Sequence, residues 1–375
     1  MIYLNNAASS WPKAPGVIDA AMESQSGFPE HPGRTARAVH RSPEACRSRL
    51  AKKLGVDDPT RVVLTPHATC ALNLAILGLG LKPGDEVVTS VAEHNSVLRP
   101  LARLEDALGI RLTLIGMDSN GHLDEDAFEI ALRRSPRLVA LNHASNVTGI
   151  IQPVDALFAR AHKAGSVTLV DASQSLGHVA VDARALNADL IAFTGHKGLR
   201  GPAGTGGLYV APGIELDQVL VGGTGVRSDL RLHPTEMPIR LEMGTPNVPA
   251  LAGLEAALRW HEEQGEAFLQ IETARAEQLR IGLRAITGVR LFGDSEGAQA
   301  LGIVSFRVSG FSVEETGYVL AESFGIICRT GLHCAPLLHA ALGSAPDGTV
   351  RLSPSGATSE DEIDRALAAI RRMAA

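Results

Sequence analysis

The chain is poor in cysteine, carries no surplus of basic charge and contains no long apolar run, and each shortage excludes a class of protein. Four cysteines stand among 375 residues, at positions 46, 70, 328 and 334. Their spacing is too irregular for a disulfide framework or a paired-cysteine zinc site. No metal is therefore expected, and a reducing, cytoplasmic compartment is. No apolar run approaches the roughly 18 residues that a membrane span needs. The opening MIYLNNAASSWPKAPG has no basic segment followed by an apolar core, so it does not read as a secretory signal. With a formal net charge of −6 and no Lys/Arg run, neither nucleic acid nor an anionic membrane is an expected partner. Small molecules remain. Internal repeats, low-complexity stretches and charged tails are also missing.

What is present is a rhythm of short apolar runs: RVVLT (61–65), EVVTS (86–90), RLTLI (111–115), RLVALN (137–142), VTLVD (167–171) and DLIAF (189–193). Most are rich in β-branched residues, separated by segments of helical length and followed by polar or Gly-rich loops. That pattern predicts an α/β fold with a mostly parallel sheet and helices on both faces. GGLYV (206–210) follows a Gly-rich loop with no helix between, so it can run antiparallel to the strand before it. Beyond position 249, long helical stretches lead to VRLFG and GIVSFRV, the texture of a smaller α+β unit. The expected division is a large domain over 16–247 and a small one made of 1–15 with 248–375.

Ligands of open α/β sheets sit beyond the carboxyl ends of the strands. The residues there are unusually polar: Thr69, Glu93-His94-Asn95, Asn142-His143, Asn146, Asp171, Gln174, Thr194 and His196-Lys197. FTGHKGLRGPAG (193–204) puts Lys197 directly after a buried run. It is either a solvated surface lysine or an amine kept for covalent chemistry. Asp171 ends LVDASQ (169–174), where a carboxylate is either an exposed loop residue or helix cap, or the partner of a pyridinium nitrogen. HATCALNLAILGLG (67–80) reads as a helix beginning near Thr69, whose free N–H groups suit an anion; Thr69 also serves as an ordinary N-cap.

Asp171-Ala-Ser-Gln174 followed by Thr194-Gly-His196-Lys197 resembles the cofactor signature of the aminotransferase class V family. LNNAASSWPKAP, the EHNS segment, NHASNVTG, GTPN (244–247) and RTGLHCAPL extend the likeness over nearly the whole chain. The resemblance implies a fold-type I PLP-dependent transferase with a seven-stranded sheet and pyridoxal 5'-phosphate (PLP) as cofactor. It assigns Lys197 to covalent attachment of the cofactor, Asp171 to the pyridinium nitrogen, Gln174 to the ring hydroxyl and His94 to stacking on the ring. Thr69, Thr194 and His196 match phosphate binders. GTPN resembles a segment whose threonine reaches the phosphate of the neighbouring subunit, so Thr245 is expected to act in trans within a homodimer. Gly244 and Pro246 alone would make the same segment a turn.

RTGLHCAPLLH (329–339) is open from its residues alone: His333, Cys334 and His339 suit a partial metal site, a structural cysteine or a nucleophile. The segment resembles the R-x-G-x-H-C-A motif of group II, Suf-type cysteine desulfurases and the related selenocysteine lyases, in which the cysteine takes up sulfur. Cys334 aligns with it, and Arg329 and His333 are the local candidates to activate it. The likeness implies L-cysteine as substrate, L-alanine as product and a sulfur-acceptor protein. Arg351 in TVRLS matches the arginine for the substrate carboxylate, assisted by Arg329. Asn146 matches a substrate or cofactor contact, and His40 an entrance histidine.

Three segments depart from the family pattern: Asn5-Asn6-Ala7 for Asp-Asn-Ala, Pro354 to Thr358 for an aromatic-Asn-Thr segment, and HPGRTARAVHR (31–41) for a His-Arg-Gly segment. The alternatives on the same scaffold are a selenocysteine lyase, a C–S β-lyase or an amino-acid epimerase. A non-catalytic Cys/His metal- or sulfur-carrying module would explain HCAPLLH but not the ordered Asp171, Gln174, His196 and Lys197. GPAGTGG as a nucleotide loop lacks the Gly-Lys-Ser/Thr that would follow it.

Overall fold

A computed structural model describes residues 1–26, 41–118, 121–293 and 299–375. The chain opens with a short strand β1 (Ile2–Tyr3) and helices α1 (Val17–Ser26) and α2 (Arg41–Lys53). Strands and helices then alternate as β2 (Val62–Thr65), α3 (Ala68–Gly78), β3 (Glu86–Ser90), α4 (Asn95–Leu108), β4 (Arg111–Ile115) and α5 (Glu125–Leu132). The series continues with β5 (Leu138–Asn142), α6 (Val154–Lys163), β6 (Val167–Asp171), β7 (Leu190–Thr194) and β8 (Gly206–Val210). A 37-residue helix, α7 (Val248–Arg284), follows.

These strands form one seven-stranded sheet in the order β2-β8-β7-β6-β5-β3-β4. All run in one direction except β8, which is antiparallel to both β2 and β7. The central strands are apolar on both faces because helices cover both. Val87, Leu138, Leu169 and Leu190 face Leu72 and Ile76 of α3 and Val97 and Leu101 of α4. One residue further along each strand, Val88, Val139, Val170 and Ile191 face α2, α5, α6 and the first turns of α7, through Leu50, Phe128, Phe158 and Leu254.

A second layer comprises β9 (Val289–Phe292), β10 (Val304–Val308), α8 (Val313–Phe324), β11 (Ile326–Ile327), β12 (Arg329–Gly331), α9 (Pro336–Ala341), β13 (Thr349–Leu352) and α10 (Glu360–Ala374). Its antiparallel sheet has the order β12-β13-β10-β9. Helices α8 and α10 each begin with a capping box, Ser312 with Glu315 and Ser359 with Glu362, which satisfies N–H groups that the first turn leaves free. The start of the chain belongs to this layer. β1 pairs with β11, and Ile2 and Leu4 join Leu279, Leu283, Phe306 and Ile363 in its core. Helix α7, about 55 Å long at 1.5 Å per residue, contributes its first half to the large sheet's core and its last turns to this one.

β3 has β4 on one side and β5 on the other. The chain therefore leaves β3 outward and returns on its opposite flank, so the loops after β3 and β5 diverge and open a crevice at their carboxyl ends. One sequence reading is corrected beside it. Thr69 is not the cap of α3: the ring of His67, in extended conformation with φ −173°, accepts the N–H of Cys70 and caps the helix, leaving Thr69 within the first turn.

Candidate active site

A cavity of about 230 Å³ lies at that crevice, lined by His67, Ala68, Thr69, His94, Ser96, Asn142, Ala144, Asn146, Asp171, Ser173, Gln174, Thr194, His196, Lys197 and Arg329. Nine residues to which the sequence assigned a role thus meet at one place, from six separate segments: Thr69, His94, Asn146, Asp171, Gln174, Thr194, His196, Lys197 and Arg329. Five-residue strands in register bring them there. β5 and β6 end level, with Asn142 opposite Asp171, and β7 runs two residues past Ala192, the partner of Asp171, to end at Thr194.

Lys197 follows β7 on the Gly-flanked turn to β8. Burial lowers its pKa to about 8, with the Asp171 carboxylate pulling the other way. An amine whose neutral form is this easily reached is a nucleophile and a base. Asp171, at the end of β6, has its Oδ1 fixed by the backbone N–H of Ser173 at 2.9 Å and by the Ser173 hydroxyl. Gln174 donates Nε2 to the carbonyl of Ala7 at 3.1 Å. Its Oε1 is buried without a protein partner, as is Oδ1 of Asn142. Buried polar atoms are normally paired, so two orphans on the wall of one cavity mark a polar occupant.

His94 caps α4: its Nδ1 accepts the N–H of Ser96 at 3.0 Å and is also bonded to the Ser96 hydroxyl. With Nδ1 accepting, a neutral ring carries its proton on Nε2. Burial lowers the His94 pKa to about 4, so the ring is neutral and available for stacking. His196 is likewise lowered to about 4 by burial. Its Nδ1 lies 3.2 Å from Ser9 Oγ, and its carbonyl is held by Ser10 and Lys13. Thr194 donates Oγ1 to the carbonyl of Thr205 at 3.2 Å. At the far wall are the first residues of α3, whose N–H groups lack intrahelical acceptors. An amine, a carboxylate, an acceptor amide, a flat neutral ring and a helix N-terminus with two threonines form a donor set that fits PLP: aldehyde, pyridinium nitrogen, ring hydroxyl, ring face and phosphate each have a residue to hold them.

Cys334 lies beside the cavity on the loop between β12 and α9. Arg329, which lines the cavity, donates Nη2 to its Sγ at 3.4 Å. His333 and Cys334 both have positive φ, 49° and 63°. Two consecutive non-glycine residues in the left-handed region store strain, which persists where surrounding contacts over-determine it. Those contacts are present: Asn95 N–H donates to the Cys334 carbonyl at 2.8 Å, and Asn146 Nδ2 to the His333 carbonyl at 2.7 Å. His333 points away from the sulfur. Its Nε2 meets Thr349 Oγ1 at 3.1 Å, and burial pushes its pKa down to about 2. Of the two local candidates for a cation at Cys334, only Arg329 reaches it.

Arg351 has no exposed surface and sits behind the cavity wall. Nη1 donates to the Asn146 carbonyl at 2.7 Å and Nη2 to Asn5 Oδ1 at 3.4 Å, while Nε has no partner. It stands directly across from Arg329 in the β12–β13 pair. Burial, with Arg329 adding repulsion, lowers its pKa to about 9. Thr245 lies elsewhere, in a groove of about 500 Å³ that it shares with Thr65, Cys70, Leu220, Glu242 and Asn247. His40 falls outside the described residues. His67, Ser96 and Ser173 were not singled out in the sequence, since serine and histidine beside a motif carry no signal of their own; Asn142 stood among the strand-end polar residues but received no role. Among the described residues no group of three or more His, Cys, Asp or Glu is placed to hold a metal, and no helix is long and apolar enough to cross a membrane.

Residues 2–366 match the model of the family described as aminotransferase class-V, and the chain belongs to that family. A probable cysteine desulfurase of Methanothermobacter thermautotrophicus is 33% identical over 374 residues, covering 96% of this chain and 92% of that one. The apo structure of a cysteine desulfurase from Thermococcus onnurineus NA1 superposes with a TM-score of 0.92 at 33% identity, over 100% of this chain and 94% of its own. A C-DES mutant with glycine covalently linked to its PLP cofactor gives a TM-score of 0.84 at 25% identity, over 98% and 96%.

Proposed function

We propose that this protein is a PLP-dependent cysteine desulfurase, a homodimer of the cytoplasm that converts L-cysteine to L-alanine and leaves the sulfur on Cys334 for an acceptor protein. The observation that carries this reading is Arg329, one side chain that lines the Lys197–Asp171 cavity and donates to Cys334 Sγ. It joins a cofactor site to a thiol.

PLP bound here supplies an electron sink that makes an amino acid's Cα–H bond labile and its β-sulfur removable. The residues supply the rest. Asp171 would hold the proton on the ring nitrogen, Gln174 Oε1 would take the ring hydroxyl, and His94 would stack on the ring. Thr69, Thr194, His196 and the α3 N-terminus receive the phosphate. Lys197 Nζ, the buried amine of the site, would hold the cofactor aldehyde and would serve as the base that moves the Cα proton. Arg329 and Arg351, adjacent cations that make no ion pair among the described residues, are costly together unless an anion joins them. The substrate carboxylate is that anion, and reaching Arg351 requires the Asn5–Asn146 layer to part. Cys334 Sγ then attacks the substrate sulfur: the C–S bond breaks, an S–S bond forms, and the thiol proton completes alanine. The chain divides, in this reading, into a large unit over 16–247 and a small unit of 1–15 with 248–375 that carries Cys334 to the cofactor.

Replacing Cys334 with Ala tests the reading. Cys334→Ala should keep the cofactor absorbance and its change on adding L-cysteine, while alanine production and the +32 Da adduct of order one sulfur per chain disappear. Unchanged conversion of cysteine to alanine would defeat it.

A further inference from the structure

Glu93 is fully buried, beside the cavity but not on its wall. Among the described residues no lysine, arginine or histidine makes an ion pair with it. Its Oε1 accepts two hydrogen bonds, from Ser90 Oγ at 2.6 Å and from the backbone N–H of Asn142 at 2.9 Å, while Oε2 is buried without a partner. An ionised carboxylate left half-satisfied at zero exposure is among the most expensive arrangements a protein can hold. A neutral acid is far cheaper there. Burial raises the Glu93 pKa to about 8, and the charged neighbour that adds to the shift is Asp171.

The placement of this acid is informative. β3 and β5 pair through Thr89 and Ala140, and beyond that rung they separate at the crevice. The Glu93 carboxyl takes the N–H of Asn142, the last residue of β5, and Asn142 Nδ2 returns a bond to the Ala92 carbonyl at 2.6 Å. Two bonds, both donated by Asn142, thus pin the loop after β3 onto β5 where the backbone ladder has stopped. The next residue, His94, caps α4 and faces the cofactor cavity; the one after, Asn95, holds the carbonyl of Cys334. Three consecutive side chains or amides therefore anchor, face the cofactor and hold the thiol loop.

We propose that Glu93 is a positioning residue that works as a neutral carboxylic acid, holding His94 in register over the cofactor and, through Asn95, holding the Cys334 loop in register with it. The inference rests on the cofactor site and the thiol role proposed above. Its chemistry needs shape and two accepted hydrogen bonds, not charge. Gln supplies both through its amide oxygen. Asp is too short to reach Asn142, and Ala supplies neither.

The experiment compares the wild type with Glu93→Gln, Glu93→Asp and Glu93→Ala in the dimeric holoenzyme, reading the cofactor absorbance, the rate of Cys334 alkylation by iodoacetamide with mass mapping, and kcat between pH 6.5 and 9.5. Glu93→Gln should stay within about threefold of the wild type at pH 7 in kcat and alkylation rate. Glu93→Asp and Glu93→Ala should lose kcat by about tenfold or more, with an altered alkylation rate. The sign of the pH effect follows from the raised pKa: the working form is the protonated one, so the wild type should decline as pH rises through about 8, and Glu93→Gln should lose that decline. If Glu93→Gln is as impaired as Glu93→Ala, or if Glu93→Ala matches the wild type, the proposal is overturned. Should Glu93→Ala not fold, an alkaline decline retained in Glu93→Gln overturns it equally. A wild type with no cofactor absorbance would sink the enzyme assignment instead, while the alkylation rates would still report on Glu93.

Discussion

Burial is the physical effect that tunes the residues of this site, and it acts in the direction of neutrality on amine, acid and imidazole alike. Lys197, His94, His196 and Glu93 are all shifted toward their uncharged forms, principally by desolvation. For Lys197 this sets a measurable pH dependence. The neutral amine captures an aldehyde, and with a pKa lowered to about 8 its neutral fraction rises with pH below that value and saturates above it. Capture of PLP by cofactor-stripped protein should accelerate by about tenfold per pH unit at most as pH approaches 8, then level off. Stopped-flow absorbance would follow it. A rate that keeps climbing past pH 9.5, as for an exposed lysine, would show that burial does not govern this amine. That Lys197 and Asp171 line the cavity was legible in the sequence from their position: each stands at or just after the end of an apolar run, where an α/β sheet places its ligand. His67 was not legible, because histidine is an uncommon N-cap and nothing in HATC distinguishes it from the threonine two residues on.

At the scale of elements, the parallel strands could be read because burial on both faces leaves contiguous β-branched runs, and β8 could be read because no crossover helix precedes it. The Cys334 loop was recognisable as a motif, but its support was not, since it depends on pairs distant in sequence. Gly348 is the clearest of these. It has φ +83°, and a Cβ placed on it would lie 2.0 Å from the carbonyl oxygen of Gly331, the last residue of β12. Only glycine lets the turn into β13 pass so near the strand that leads to Cys334. Gly348→Ala is therefore expected to displace the end of β12 and to cost roughly 1–3 kcal/mol of stability. Cofactor absorbance should be retained, because no cavity residue other than Arg329 comes from this sheet. If Cys334 carries the sulfur, persulfide formation on it should fall by about tenfold or more, because positioning errors near 1 Å have effects of that order. Equal loss of cofactor and persulfide would mean that the two layers do not respond separately.

For the whole molecule, the closure of the chain on itself was the least legible feature. β1 is two residues long, too short to show periodicity, yet it pairs with β11 and joins the core of the second layer. The same closure brings Asn5 to Arg351 across 346 residues of sequence. Thr245 raises the corresponding question between molecules. It opens into a groove with Thr65 and Cys70 that Lys197 does not line, and the segment before it exposes Leu220, Val221, Leu230 and Leu232. Apolar side chains clustered in one irregular segment suit burial against another chain. If the Thr245 of each protomer serves the partner's phosphate, each site is built from two chains. Thr245→Ala homodimers should then hold PLP more weakly by about 1–2 kcal/mol, and Lys197→Ala homodimers should be inactive. After subunits are unfolded together and refolded, the mixed dimer contains one site that has Lys197 from the Thr245→Ala chain and Thr245 from the Lys197→Ala chain. That site is wild type in composition. At limiting PLP the mixture should exceed the mean activity of the separate parents, and titration should show a fraction of sites with wild-type affinity. Activity no higher than that mean, with dimers verified by ultracentrifugation, would place Thr245 in the service of its own chain or of neither.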